Sequence, residues 1–284
     1  MSNDDFDLAA YLDRIGADAP GAPSLAGLRA IVAAHTAAIP FECMEPLLGR
    51  VPKLDIASLQ DKLVTRRRGG YCHEHGFLLR SALRALGFTV SSRLARVVLG
   101  MPADAPEPVG HQLLRVELPD GAFLVDVGFG NRTPTAPLRW DADGEQATPH
   151  ETMRLQRAGE DIVVQAMIGE AWENMYRILP QPVLDIDCEV SNWFTGSHPA
   201  CPLVSNLIVT RAGPGGMRAT LFNGRLTIRR PNEDVERHAV ADAAAYRDVL
   251  AGHFGLAVTA DEAEAIVAAL DRAGTRGMAH PLFV

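Results

Sequence analysis

Apolar positions change their period twice along this chain. Up to about residue 88 they recur every three to four residues, the spacing of helices packed on one another. Asp7 to Ile15 predicts one helix, and Ser24 to Ala38 a second, with Ser24 as N-cap and Pro40 as its stop. Val51 to Leu63 reads as an extended piece followed by a short helix. From Cys72 to Leu86 the residues Leu79, Ala82, Leu83 and Leu86 form one stripe, which Gly87 ends.

From Val90 the period falls to two. Arg93 to Leu99, His111 to Leu118 and Ala122 to Val127 read as strands, with Asp120-Gly121 as the turn between the last two. Met153 to Gln156 and Ile162 to Met167 add a further pair, so the middle third predicts a small antiparallel barrel or sandwich. Asn192 to Pro199 then reads as irregular, followed by strands at Leu203 to Thr210, Arg218 to Phe222 and Arg225 to Arg229. Helices at Ala241 to Phe254 and Thr259 to Ala273 close the chain, the second opening with a Thr259/Glu262 capping box. The expected class is α+β in three parts: residues 1–88 helical, 89–190 β, and 191–284 a linker with an α/β layer.

Charge and composition narrow the function. The chain has 284 residues and a formal net charge of −8, and Arg66-Arg67-Arg68 is its one basic run. That balance argues against nucleic-acid binding. No apolar run reaches the length of a membrane span, and Met1-Ser2-Asn3-Asp4-Asp5 lacks a signal core, so the chain reads as cytoplasmic. Cys43, Cys72, Cys188 and Cys201 follow neither a disulfide nor a zinc rhythm, and no metal site is expected.

One of those thiols stands apart. In Arg68-Gly69-Gly70-Tyr71-Cys72-His73-Glu74, Cys72 falls in the first turn of a helix, behind two glycines that permit a sharp approach. Unpaired N–H groups and the positive end of the helix dipole favour thiolate there. A thiolate catalyst also needs a base and a group that orients the base. His111 and Asp126 are candidates. With Asp120-Gly121 as a two-residue turn, Arg115 falls opposite Asp126 and Gly130 opposite His111. The two side chains then share a face but stand about 13 Å apart along the ribbon, a gap that a bulge, another register or barrel curl must close.

These motifs together resemble the arylamine N-acetyltransferases. The likeness runs from Tyr11-Leu12-Asp13-Arg14-Ile15-Gly16 through Ile39-Pro40-Phe41-Glu42 and the Cys72 segment to Gly110-His111-Gln112-Leu113-Leu114. It continues with Val125-Asp126-Val127-Gly128-Phe129-Gly130, Ser191-Asn192-Trp193-Phe194 and His198-Pro199. The resemblance implies a helical bundle, a β-barrel and an α/β lid. It implies acetyl transfer from the co-substrate acetyl-CoA to a small aromatic amine or hydrazine, by ping-pong exchange through an acetyl-cysteine. A related thiol acyltransferase or amide synthase with another donor or acceptor is the alternative.

Carried over by motif, Cys72 is the nucleophile, His111 the base and Asp126 the orienting carboxylate. Phe41, Phe129 and Leu203 are expected against the acceptor, and Gly128 and Gly130 near CoA. Arg68 and Glu42 are expected to form an ion pair that ties the Pro40 segment to the cysteine loop, and Glu74 to brace that loop. Three positions depart from the family pattern: Cys43 and Gly76 each replace an Asn, and Cys201-Pro202-Leu203 replaces Ser-x-Phe. Gly76 removes a side-chain hydrogen-bonding group behind the nucleophile, and Leu203 removes a stacking ring.

Overall fold

The computed structural model describes residues 6–278; the acidic Met1–Asp5 stretch lies outside them. Helix α1 (Leu8–Ile15) is capped by Asp7 and ends at Gly16 in the left-handed conformation. Helix α2 (Leu25–Ala38) is capped by Ser24, whose hydroxyl accepts from the Gly27 N–H. Strand β1 (Phe41–Glu42) and helices α3 (Met44–Leu47) and α4 (Ile56–Leu59) follow. The last runs into a π-helical turn over Gln60–Thr65. Helix α5 (Cys72–Ala85) is buried along nearly its whole length, with Phe77, Leu78, Ala82 and Leu83 packed among Tyr11, Leu28, Ile31 and Leu63.

Eight antiparallel strands form the middle layer. They are β2 (Thr89–Val97), β3 (Val109–Leu118), β4 (Gly121–Val125), β5 (Leu138–Arg139), β6 (Glu145–Ala147), β7 (Thr152–Ala158), β8 (Asp161–Ile168) and β9 (Ala171–Ile178). Their order is β5-β4-β3-β2-β9-β8-β7-β6. The sheet curls into a nearly closed barrel whose two edges meet through one side chain. The Gln146 Oε1 accepts from the Arg139 N–H at 2.6 Å, and its Nε2 donates to the Arg139 carbonyl at 3.1 Å. The β3–β4 hairpin is apolar on both faces because both are covered. Leu113, Ala122 and Leu124 fill the barrel, while Leu114, Val116, Phe123 and Val125 pack on the α5 layer.

Helix α6 (Asp185–Ser197) corrects the expectation of irregular structure there. The boundary expected between residues 190 and 191 falls inside this helix. Its β-branched and short polar residues are poor helix formers, so tertiary bonds hold it. Asn192 Oδ1 accepts from the Tyr71 hydroxyl at 2.5 Å, and Asn192 Nδ2 donates to the Pro52 carbonyl at 3.0 Å.

The strand expected from Leu203 is also shorter than its apolar run. Pro202–Val204 is a 3-10 turn, opened by a proline that has no N–H for a ladder, and strand β10 covers Ile208–Ala212. With β11 (Arg218–Phe222), β12 (Arg225–Arg229) and β13 (Glu236–Ala239) it forms a sheet of order β1-β10-β11-β12-β13. Helices α7 (Ala243–Phe254) and α8 (Ala260–Ala273) cover that sheet. No helix of the described residues is long and apolar enough to cross a membrane.

Candidate active site

Cys72 is the first residue of α5, after Tyr71 in extended conformation. Glu74 caps the helix by accepting the Tyr71 N–H on its Oε2 at 3.1 Å. Gly69 has no turn to make; a Cβ there would lie 2.3 Å from the Pro40 carbonyl oxygen, so it serves close approach to the segment before β1. The loop after β4 comes equally close from the other side. A Cβ on Gly128 would lie 2.7 Å from the Cys72 Cα. Gly128 thereby lets the residues following Asp126 press against the Cys72 backbone.

His111 and Asp126 meet for a reason the expected register missed. The turn is Pro119-Asp120, with Leu118 paired to Gly121 and Leu114 to Val125. Continuing that register sets Asp126 opposite Leu113, two residues from His111, which halves the separation to about 7 Å and keeps the shared face. Asp126 lies just beyond the end of β4, and its Oδ2 bonds His111 Nε2 at 2.8 Å. Its Oδ1 accepts from the Gly128 N–H at 2.9 Å.

That bond leaves His111 Nδ1 free on the side away from Asp126, and the neighbouring Cys72 helps to raise the ring's pKa. The Cys72 thiol lies 3.6 Å from the Gly110 carbonyl, to which Thr195 Oγ1 donates at 3.3 Å. The rings of Phe129 and Tyr176 pack on His111 with centroids 5.1 and 4.8 Å away. Burial pushes the imidazole toward its neutral form. The Asp126 charge and hydrogen bond, helped by Cys72, outweigh that and raise its pKa to about 10. His111 is an imidazolium at neutral pH.

A cavity of about 500 Å³ opens over this group. Cys72 and His111 lie in its wall with the expected Phe41, Phe129, Leu203, Gly128 and Gly130; Asp126 stays behind the imidazole. Phe194 and Phe222 also line it, which sequence reading missed. They offset Leu203 at the position where the family pattern has a ring, and Leu203 packs with Phe41 and Phe222. Tyr176 was missed too, because a tyrosine within an alternating strand carries no signal of its own.

The expected Arg68–Glu42 pair does not form. Arg68 reaches instead to Glu262 of α8, at 3.0 Å. Glu42 sits 3.9 Å from Lys62, a buried ammonium that also bonds Glu45 at 2.8 Å and Glu74 at 2.7 Å. The π-helical turn carries Lys62 inward, which no helical or strand period predicts. Burial raises Glu74 to about 7 despite the ammonium beside it.

Gly76 is explained by Gln112. A Cβ on Gly76 would lie 2.9 Å from the Gln112 Cδ, and the glutamine bonds His73 Nδ1 at 3.1 Å and Ser92 Oγ at 3.2 Å. Gln112 supplies polar bonding behind α5, where the missing asparagine left a gap. Beside it runs a buried chain: the Tyr11 hydroxyl to His35 Nδ1, His35 Nε2 to His75 Nδ1, and His75 Nε2 to the Pro40 carbonyl at 3.2 Å. That carbonyl can only accept, so His75 donates from Nε2, and two neutral rings then donate in one direction along the chain. Burial, above all, holds His75 down to about 4 and His73 to about 3, with His35 well below its ordinary value.

Fold and site correspond to a known class, since residues 24–263 match the N-acetyltransferase family. An arylamine N-acetyltransferase of Mycobacterium bovis is 41% identical over 258 residues, covering 89% of this chain and 90% of that protein. The arylamine N-acetyltransferase / N-hydroxyarylamine O-acetyltransferase of Salmonella typhimurium is 37% identical, covering 93% and 96%. The Mycobacterium marinum arylamine N-acetyltransferase in complex with CoA superposes with a TM-score of 0.87 at 40% identity, over 94% of this chain and 99% of that one. The chain belongs to the arylamine N-acetyltransferase family.

Proposed function

We propose that the protein transfers the acetyl group of acetyl-CoA to the nitrogen of arylamines and arylhydrazines, with Cys72 as nucleophile, His111 as acid and base, and Asp126 as its orienting carboxylate. The observation that carries this reading is the Asp126–His111–Cys72 chain, closed on one side by a 2.8 Å bond and facing an apolar cavity on the other. The Cys72 thiolate attacks the thioester carbonyl, and N–H groups at the start of α5 stabilise the oxyanion. The carbon–sulfur bond to CoA then breaks, and CoA leaves as the thiol with the Nδ1 proton of His111.

The acceptor enters the vacated cavity between the rings of Phe41, Phe129 and Phe222. Its nitrogen attacks the acetyl-cysteine, and neutral His111 takes the amine proton on Nδ1. The carbon–sulfur bond to Cys72 breaks, and thiolate and imidazolium are restored. One site serving both halves requires ping-pong kinetics. Asp126 holds the neutral ring with its proton on Nε2, so that Nδ1 is the free base. Gly128 and Gly130 line the cavity beside Cys72 and leave room for the phosphopantetheine end of the donor.

Intact-protein mass spectrometry after acetyl-CoA alone tests this. One acetyl adduct on the Cys72 peptide is expected, absent in Cys72→Ser and discharged by an aniline or hydrazide. An adduct on another residue, or one that no amine discharges, would overturn the assignment.

A further inference from the structure

Six large apolar side chains are exposed among the described residues; three of them lie on one helix face and a fourth sits beside it. Ile186, Val190 and Trp193 follow one another at i, i+4 and i+7 along α6, the spacing of a single helical stripe. They are 58, 63 and 63% exposed. Leu184, 66% exposed, is the N-cap of the helix and stands apart from the stripe. Val51, 38% exposed, flanks the far end of the stripe, where it packs on Gly196. The opposite side of α6 is spent on buried contacts through Cys188, Ser191, Asn192 and Thr195, so the stripe faces away from the molecule. Of the acidic residues of the helix, Asp185 pairs with Arg80 and Asp187 accepts the Leu184 N–H at 2.8 Å, while Glu189 lies off this line by helical spacing.

We propose that this stripe is the contact surface of a twofold dimer of the chain. The stripe and Val51 leave about 450 Å² in water, the size of the largest apolar patch on a monomer and about half of the ~800 Å² that each partner gives to a standard interface. The pattern is also complementary to itself. If two α6 helices cross antiparallel, a twofold axis through Val190 sets Ile186 of one against Trp193 of the other, a branched side chain against a broad ring. Lys53 follows Pro52, which is bonded to Asn192 in the second half of α6. The same twofold brings Glu189 of one copy toward Lys53 of the second copy, opposite charges on one flank. A lipid surface fits less well, because Asp187 and Glu189 border the stripe and the chain carries a net charge of −8.

Sedimentation velocity from about 1 to 100 µM tests the dimer. The unmodified chain is expected to show a reversible monomer–dimer equilibrium within that range, and Val190→Asp to weaken it at least about tenfold while keeping the unmodified circular dichroism. A Val190→Cys variant carries the sharper test, since position 190 would face itself across the axis. Mild oxidation should give a covalent dimer linked through that cysteine, whereas Asp187→Cys should not cross-link. A chain that is monomeric at every concentration would overturn the proposal. So would a dimer indifferent to Val190→Asp, or a monomer that floats with phosphatidylcholine vesicles through this face.

Discussion

Acid should destabilise this protein through histidines that do no chemistry. His35, His73 and His75 are buried and neutral, with pKa values held below that of an unfolded imidazole, 6.5. A depressed imidazole contributes stability that is complete above 6.5 and is lost as pH falls toward its folded value. Between pH 7 and 5 each of the three costs about 2 kcal/mol, because the unfolded chain takes a proton that the folded one refuses. Glu74 works the other way: raised from 4.5 to about 7, it gains its proton in the folded state first and returns about 2 kcal/mol over the same interval. His111, raised to about 10, contributes stability that is complete below 6.5 and lost only toward alkali, so it adds nothing to the acid loss. The net is a loss of about 4 kcal/mol, a large share of a typical total of roughly 5–15.

The assay is urea unfolding followed by tryptophan fluorescence at pH 7 and pH 5. With a slope near ~3 kcal/mol per molar urea, the midpoint should fall by somewhat more than about 1 M. His75→Gln keeps a donor for the Pro40 carbonyl and an acceptor for His35 but cannot titrate, so its midpoint should depend less on pH, by about one third of the histidine contribution. An unmodified chain whose midpoint is unchanged or higher at pH 5 would refute the reasoning. It would mean that these rings are charged or hydrated in the folded state.

The remaining expectations are independent of that one. Asp126→Asn removes the charge that holds the His111 proton, and kcat/KM for acetyl transfer should fall by about 10²–10⁴ with little change in Tm; an unaltered rate would remove Asp126 from the mechanism. Iodoacetamide at pH 6 should label Cys72 and spare Cys43 and Cys188, which burial pushes up as thiols, and peptide mapping would read this directly. Gly128→Ala places a methyl against the Cys72 backbone, so it should cost about 1–3 kcal/mol and at least about tenfold in kcat; normal turnover would show that the close approach is dispensable. Gly76→Ala and Gln112→Ala each destabilise, yet their urea midpoints should couple by about 1–3 kcal/mol in a double-mutant cycle, since the glutamine being displaced is the same one.

Local signals were legible wherever a residue's partner lies within one turn of it. Ser24 and the Thr259/Glu262 box cap their helices as read, and Asn223-Gly224 turns the β11–β12 hairpin. The β3–β4 turn shows where such signals compete. Asp120-Gly121 is a strong hairpin pair, but Pro119 cannot donate to a ladder and suits the first corner of a turn, so the turn lies one residue earlier. Helix α6 was missed although its signal was present. Ile186, Val190 and Trp193 have helical spacing, but the stripe faces solvent and the residues between them favour turns.

The site divides along the same line. Parity survives a change of register by two, so the shared face of His111 and Asp126 was readable while their separation was not. Charge pairing lacks even that protection. Arg68 and Glu42 lie in motifs that do adjoin in space, since the Glu42 N–H donates to the Gly70 carbonyl at 2.8 Å. Their side chains nevertheless leave in different directions, one to α8 and the other toward Lys62. Backbone adjacency can therefore be inferred from motifs that must meet, whereas the partner of a long charged side chain depends on which buried charge is otherwise unpaired. Here that charge is Lys62, whose removal in Lys62→Met would leave three carboxylates facing one another at the start of α5. Such a change should cost about 3–5 kcal/mol, and acid should partly restore what is lost by neutralising Glu74. A Lys62→Met protein as stable as the unmodified chain at pH 7 would show that the cluster is hydrated rather than paired.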